Sequence, residues 1–339
     1  MNTARRTGVN VAINKKDISK DLAPFLKSFS YSDALSDEAD TAEIVLQDRE
    51  RIFIGEWFPT RGDTATVEIT RSNWYGESGE ERLPLGSFEI DEISAKYPPS
   101  EVTIKMVSVP NNAKIRSIVK SRSWENVKLS KIAGDVAAES GLTLFYDTKD
   151  DPEIKRAEQS EKSSLQFLQK ICKDEGLNLK VADGRIIIFD AEKYESQTPI
   201  TVLKFNPGLI KSFSATATIH EIYSACNVTY KHGKKNKKFD CTFTDENQPS
   251  DGMTLKINKK VESTAEAEKL AKKKLREKNK EEFKVSLTLA GDFMYLSGNV
   301  IELADFGKFS GRYIIEKAEH KISNGYEVSV DLRKCLSGY

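Results

Sequence analysis

The chain has 339 residues, enough for two or three domains of roughly 100–200 residues, each with its own core. Apolar residues make up 38% and charged residues 31%, which excludes a disordered or fibrous chain. Lysine plus arginine equal aspartate plus glutamate, so no net field draws the protein to nucleic acid or to an anionic membrane.

The first residues run into polar strand sequence without the apolar core of a leader, and no window approaches the roughly 20 apolar residues of a membrane helix. Cys172, Cys226, Cys241 and Cys335 are far apart and form no CxxC pair, which fits reduced thiols made and kept in the cytoplasm. From Val9 to Val109 the pattern has period two, as in Val67 and Ile69, Phe88 and Ile90, and Val102, Ile104 and Met106, so an all-β lobe is predicted. Near Trp124 the period changes. Leu129, Ile132, Ala133, Val136 and Ala137 share one helical face, Gly141 stops that helix, and a strand starts at Leu142. The same unit recurs with Leu165, Phe167, Leu168, Ile171 and Cys172, then Gly176, then strands on either side of Asp183-Gly184. Alternation returns near Ile200, is interrupted by a charged helix over 263–280, and holds from Phe283 to Leu332.

The two β stretches resemble each other. Gly86-Ser87-Phe88-Glu89-Ile90, followed by Glu101-Val102-Thr103-Ile104-Lys105-Met106, matches Gly311-Arg312-Tyr313-Ile314-Ile315, followed by Glu327-Val328-Ser329-Val330-Asp331-Leu332. Upstream, Gly62 and the strand after it match Gly298 and its strand, with an insertion around Asn73-Trp74-Tyr75 in the first copy. Alternation and glycine turns are common to any pair of antiparallel segments, so a shared ancestry competes with a shared period. A duplication would give a β-rich α+β fold with two related β-barrel-like domains, residues 1–120 and 198–339, and a small tandem helix-strand insert at 121–197. Three such chains in a closed ring would place six similar units around one axis.

Taken in order, the turn Trp57-Phe58-Pro59 into Gly62-Asp63, the strand from Gly86 to Ile93, the tandem units with Gly141-Leu142 and Gly176-Leu177, the helix before Phe283 and the terminal strands from Gly311 resemble the phage late-control D protein family. That family supplies the hub of contractile phage tails and is similar to the hub portion of type VI secretion spike proteins. The resemblance implies a homotrimer whose paired β domains adapt a sixfold tail tube to a threefold spike, with tail tube protein, a separate spike protein and other baseplate components as partners. It also implies assembly in the bacterial cytoplasm and a final place in the virion or a tail-like particle, with no cofactor. The alternative reading is a peptidoglycan- or carbohydrate-binding module, suggested by the small units over 124–190, where Phe145 and Tyr146 are the nearest aromatics to a sugar platform.

Catalysis has little support: none of His220, His232 and His320 stands in HExxH, and no GxSxG or P-loop is present. Strand alternation makes His320 an outward polar residue. Asp150-Asp151 and Glu281-Glu282 are adjacent and expected to be exposed, and Cys226, His232 and Cys241 lack a fourth metal ligand. Arg61-Gly62-Asp63 is a local turn. The interface candidates are Trp74 and Tyr75 at a hairpin tip, Lys234 and Lys235 at another tip, and Lys273 and Arg276 on the basic face of the charged helix, which is expected to face solvent.

Overall fold

A computed structural model describes residues 4–76, 79–108, 115–116, 119–232 and 237–339. The first strands are β1 (Arg6–Ile13), β2 (Lys16–Asp17), β3 (Leu26–Ala34), β4 (Thr41–Gln47), β5 (Thr64–Ser72), β6 (Glu80–Lys96) and β7 (Glu101–Val107), with a one-turn helix α1 (Ser19–Leu22) between β2 and β3. The middle of the chain forms β8 (Val119–Lys128), α2 (Leu129–Glu139), β9 (Thr143–Asp147), β10 (Glu153–Ser163), α3 (Ser164–Asp174), β11 (Asn178–Ala182), β12 (Arg185–Phe189) and α4 (Ala191–Glu195). The last part forms β13 (Val202–Lys204), β14 (Ile210–Ala217), β15 (Ala225–His232), β16 (Lys237–Thr244), β17 (Thr254–Asn258), α5 (Thr264–Asn279), β18 (Phe283–Ala290), β19 (Val300–Ala304), β20 (Gly311–Ile322) and β21 (Tyr326–Lys334).

The two β stretches carry the same ladders twice. In the first, β5 pairs β6, β6 pairs β7, β7 pairs β4 and β4 pairs β3. In the second, β19 pairs β20, β20 pairs β21, β21 pairs β18 and β18 pairs β14. The registers agree residue by residue: Ala65 faces Phe88 where Ile301 faces Tyr313, and Leu46 faces Val102 where Leu289 faces Val328. Irregularities agree as well. β6 slips against β7 between Ile90 and Glu92, opposite Met106 and Lys105; β20 slips against β21 between Ile315 and Lys317, opposite Leu332 and Asp331. A second slip falls between Leu26 and Ser28 and again between Ile210 and Ser212. A bulge adds one residue to one strand and re-aims every side chain beyond it. Alternation alone does not put bulges at matched positions, so the repeat read in the sequence is a repeat of structure.

The copies are joined through β3 and β20, which run antiparallel from Phe29 opposite Ile322 to Ala34 opposite Lys317, making one 13-stranded sheet. One apolar core serves both, with Phe29, Ile44, Phe88 and Ile90 from the first copy and Leu287, Tyr313, Ile315 and Val330 from the second.

The insert has a separate core built from α2, α3 and the inner faces of β11 and β12. Its helices end alike: Gly141 and Gly176 both sit at φ +68, and Leu142 and Leu177 donate their amides to Ala137 and Cys172. A left-handed residue after the last helical turn favours glycine, which is why both units carry it. The structure adds a strand before each helix, β8 and β10, which pair with each other. These two strands are polar and lack alternation, so periodicity passes over them. In the second copy the link between β14 and β18 carries a further sheet, β16-β15-β17, on which α5 packs Ala267, Leu270, Ala271 and Leu275.

One expectation is corrected. His320 is in phase with Ala318 and Ile322, and all three are buried on the core side of β20. Its Nδ1 meets the Tyr326 hydroxyl at 2.7 Å and its Nε2 meets the Tyr295 carbonyl at 2.8 Å, so the ring is satisfied in its neutral form. Burial holds its pKa below the usual imidazole value, against the pull of Asp33 and Asp292. The folded pKa is depressed, so this contribution to stability is complete above about pH 6.5 and is lost as pH falls. Asp40 acts in the opposite sense, since burial raises its pKa to about 6 and its contribution is lost as pH rises through that value. His320→Gln should therefore be less stable at pH 7 but lose less stability than the wild type on going to pH 5, measured by urea unfolding at both pH values. Parallel changes would show that His320 does not titrate on unfolding.

Candidate functional site

The interface candidates separate once placed. Trp74 is half-buried against the core, its ring 6.1 Å from that of Tyr326 and its face under the guanidinium groups of Arg5 and Arg71. Tyr75 is exposed, at φ 54, and its hydroxyl donates to Asp292. Arg71 joins the same group, 2.7 Å from Glu81 and 3.2 Å from Asp292, so the β5–β6 tip is clamped to the loop before β19. Lys234 and Lys235 lie outside the described residues.

Lys273 and Arg276 do not face open solvent, and that expectation is corrected. Lys273 reaches Asp150 of the insert at 2.8 Å and the carbonyl of Glu175, while Arg276 reaches Glu195 at 2.7 Å. The basic side of α5 is turned toward acidic groups of the same chain, bordering a cleft of about 610 Å³ that Glu38, Asp190 and Arg333 also line. Among the cleft's described lining residues only Tyr339 is aromatic. The sugar-platform pair also divides, because neighbours on a strand point to opposite sides: Phe145 is exposed, whereas Tyr146 packs on the insert core and donates to the Asp150 carbonyl at 3.0 Å. Adjacent carboxylates divide too, with Asp150 on Lys273 and Asp151 accepting from the Ser130 amide at 3.0 Å in the first turn of α2. Cys226 lies buried in the core under α5, and among the described residues no group of three metal-ligating side chains gathers. The side chain of His232 falls outside the described residues.

Two buried ionic nodes were invisible from sequence. In the first, Lys180 of β11 lies 2.6 Å from Asp33 and 3.0 Å from Asp40, and Asp33 also accepts from the amide and hydroxyl of Ser297, each at 2.7 Å. Insert, first copy and second copy thus meet at one lysine. Burial works to lower the Lys180 pKa, and the two carboxylates more than offset it. In the second, Glu195 of α4 is buried between Arg333, at 2.8 Å, and Arg276, while Arg333 also holds Glu316 at 2.9 Å. Paired buried charges contribute little net stability, but removing one partner strands the others. No single-sequence signal marks these residues, since each partner is distant in the chain.

The free surface is of another kind. The outer edge of β14 and the end of β6 beyond its pairing with β5 are unpaired strand edges among the ladders described, and Leu209, Phe213, Ile219 and Tyr97 stand exposed beside them. Exposed strand edges are templates for pairing with another chain. Among the described residues no helix is long and apolar enough to cross a membrane.

Comparison with known proteins agrees with this picture. Residues 120–333 match the model of the YQBQ-like family. The chain is 26% identical over 186 residues to a probable baseplate hub protein of Escherichia phage 186, covering 53% of this chain and 44% of that protein, and 27% identical over 183 residues to its counterpart in Escherichia phage P2. The match thus spans under half the length of these curated relatives. Among solved structures, the 43 kDa tail protein of prophage MuSo2 from Shewanella oneidensis is similar with a TM-score of 0.73 at 14% identity, over 97% of this chain and 98% of that one. An Escherichia coli protein described as a component of the type VI secretion system is similar with a TM-score of 0.59 at 10% identity, over 99% of this chain and 79% of that one. At these identities the likeness to solved structures is one of fold, and the fold class and family resemblance read from the sequence agree with it.

Lys180→Met should cost about 3–5 kcal/mol at pH 7, because Asp33 and Asp40 are left buried without their cation. Part of the loss should be recovered at pH 5, where protonation of Asp40, whose pKa burial raises to about 6, relieves its stranded charge. Thermal melts at both pH values measure this, and a variant with wild-type melting at pH 7 would remove the node from the account.

Proposed function

The chain belongs to the YQBQ-like family, and from that premise we propose that it is a structural hub of a contractile phage tail or tail-like particle, acting by geometry and not by chemistry. The observation that carries the reading is the register-matched pair of β units in one chain, with matched bulges and a shared core. Such a chain presents two equivalent surfaces where an ordinary subunit presents one. Three chains around an axis then offer six similar faces to a sixfold tube and three identical chains to a spike, which is symmetry adaptation. The names of the phage 186 and P2 relatives support it.

In this reading residues 1–120 and 198–339 form the ring and residues 121–197 stand outside it. The partners are further copies of the chain, the tail tube protein, a separate spike protein and neighbouring baseplate components. The place of action is the assembled particle, reached by assembly in the bacterial cytoplasm. Tyr75, exposed on a clamped tip, is the anchor we retain from the sequence candidates for contact with a neighbouring component.

Native mass of the purified chain across a concentration range tests the reading. A discrete trimer, alone or on addition of its spike, is expected; a chain that stays monomeric under both conditions would overturn it.

A further inference from the structure

The internal repeat says what should cover the free edges. Within one chain β3 of the first copy pairs with β20 of the second. The shared registers make β14 the equivalent of β3 and β6 the equivalent of β20, with Phe213 in the place of Phe29 and Tyr97 in the place of Ile322. Those equivalents, the outer edge of β14 and the end of β6, are both left unpaired by the described ladders.

We infer that β14 of one chain pairs antiparallel with residues 92–97 of a second copy, in the register of the internal joint, with Ala215 opposite Ala95 and Phe213 opposite Tyr97. This rests on the ring-forming reading above and deepens it by naming the seam.

Exposure supports the assignment. At the internal joint Ile322 is 7% exposed, Phe29 0% and Leu35, just past β3, 8%; at the free edges Tyr97 is 85% exposed, Phe213 40% and Ile219, in the place of Leu35, 90%. Apolar side chains thus stand bare at positions that are covered wherever the joint is made. Pairing the edges would bring Ile93, Ala95 and Tyr97 against Ala217, Ala215 and Phe213 on the core face, an apolar set of alternating size. On the outer face the internal joint sets Lys317, Glu319 and Lys321 against Ala34, Ser32 and Ser30. The inferred one sets Glu92, Ser94 and Lys96 against Thr218, Thr216 and Ser214. Each places only small or hydroxyl side chains on one strand opposite the strand that carries the charges, so no like charges meet. The seam uses one edge of each kind, so association is head-to-tail, and it leaves neither of these two edges open once the ring closes.

Paired cysteines in the full-length chain test it, with Cys241 and Cys335, the two partly exposed native thiols, changed to serine. Oxidation of the Ala95→Cys, Ala215→Cys double variant should shift denaturing-gel mobility from one chain to two and three. A mixture of the two single variants should stop at two chains, and each alone should stay at one. Ala95→Cys with Thr216→Cys, which would face opposite sides, should stay uncross-linked. If native mass reports an assembly but Ala95→Cys, Ala215→Cys does not cross-link, the seam is wrong and the hub reading stands. If Thr216→Cys cross-links as well as Ala215→Cys, the register is wrong. A monomer without cross-links at every concentration, with or without the spike, overturns both.

Discussion

The β3–β20 ladder is the constraint on which the rest of the molecule depends. Among the described residues it is the one ladder between strands of the first copy and strands of the second, and it merges two sheets into one. Its core face carries Phe29, Tyr31 and Asp33 opposite Ile322, His320 and Ala318. Two of these six, His320 and Asp33, carry buried polar groups that are each answered: His320 by Tyr326 and Tyr295, Asp33 by Lys180 and Ser297. Buried polar groups with all partners present specify one arrangement, because any slipped register would leave them unpaired. The relative placement of the two copies, and hence the pair of faces the chain presents, follows from that joint.

Much of this was legible in the sequence, and the reason is local. Period-two alternation marks a strand with one face in a core, so β5, β6, β7, β20 and β21 announce themselves, and so does the repeat. The tandem glycines Gly141 and Gly176 were legible for an equally local reason, the left-handed backbone at φ +68. The misreadings have a physical cause too. His320 was assigned outward by its polarity, although its phase with Ala318 and Ile322 places it inward; period was the better guide than residue type. β8 and β10 show little apolar alternation because each gives the insert core only a few side chains, Trp124 and Val127 from one and Ile154 and Ala157 from the other, among polar neighbours. Lys273 and Arg276 belong to a helix whose basic side reads as solvated until the acidic insert, some hundred residues earlier in the chain, is seen against it.

The two copies differ in what their loops carry. Between β3 and β4 the first copy has a short turn, while the corresponding link between β14 and β18 holds the β16-β15-β17 sheet and α5. Additions of that size are tolerated because closing a longer loop costs little more than closing a short one. The conserved part is the five-strand frame with its bulges; the variable part is carried outside it, where it packs on the insert through ion pairs without disturbing the core.

The β3–β20 joint also has a consequence for synthesis. β3 leaves the ribosome early, and its partner follows only after about 280 further residues. At about 5–20 residues per second that interval is roughly 15 to 60 seconds, during which β3 has β4 on one side and nothing on the other. Neighbouring nascent chains on one message hold the same bare strand at the same time. A protein whose finished edges are built to meet copies of itself therefore passes through a stage in which an edge meant for its own C-terminal half is offered to them first, and the order of translation becomes part of how the particle is assembled.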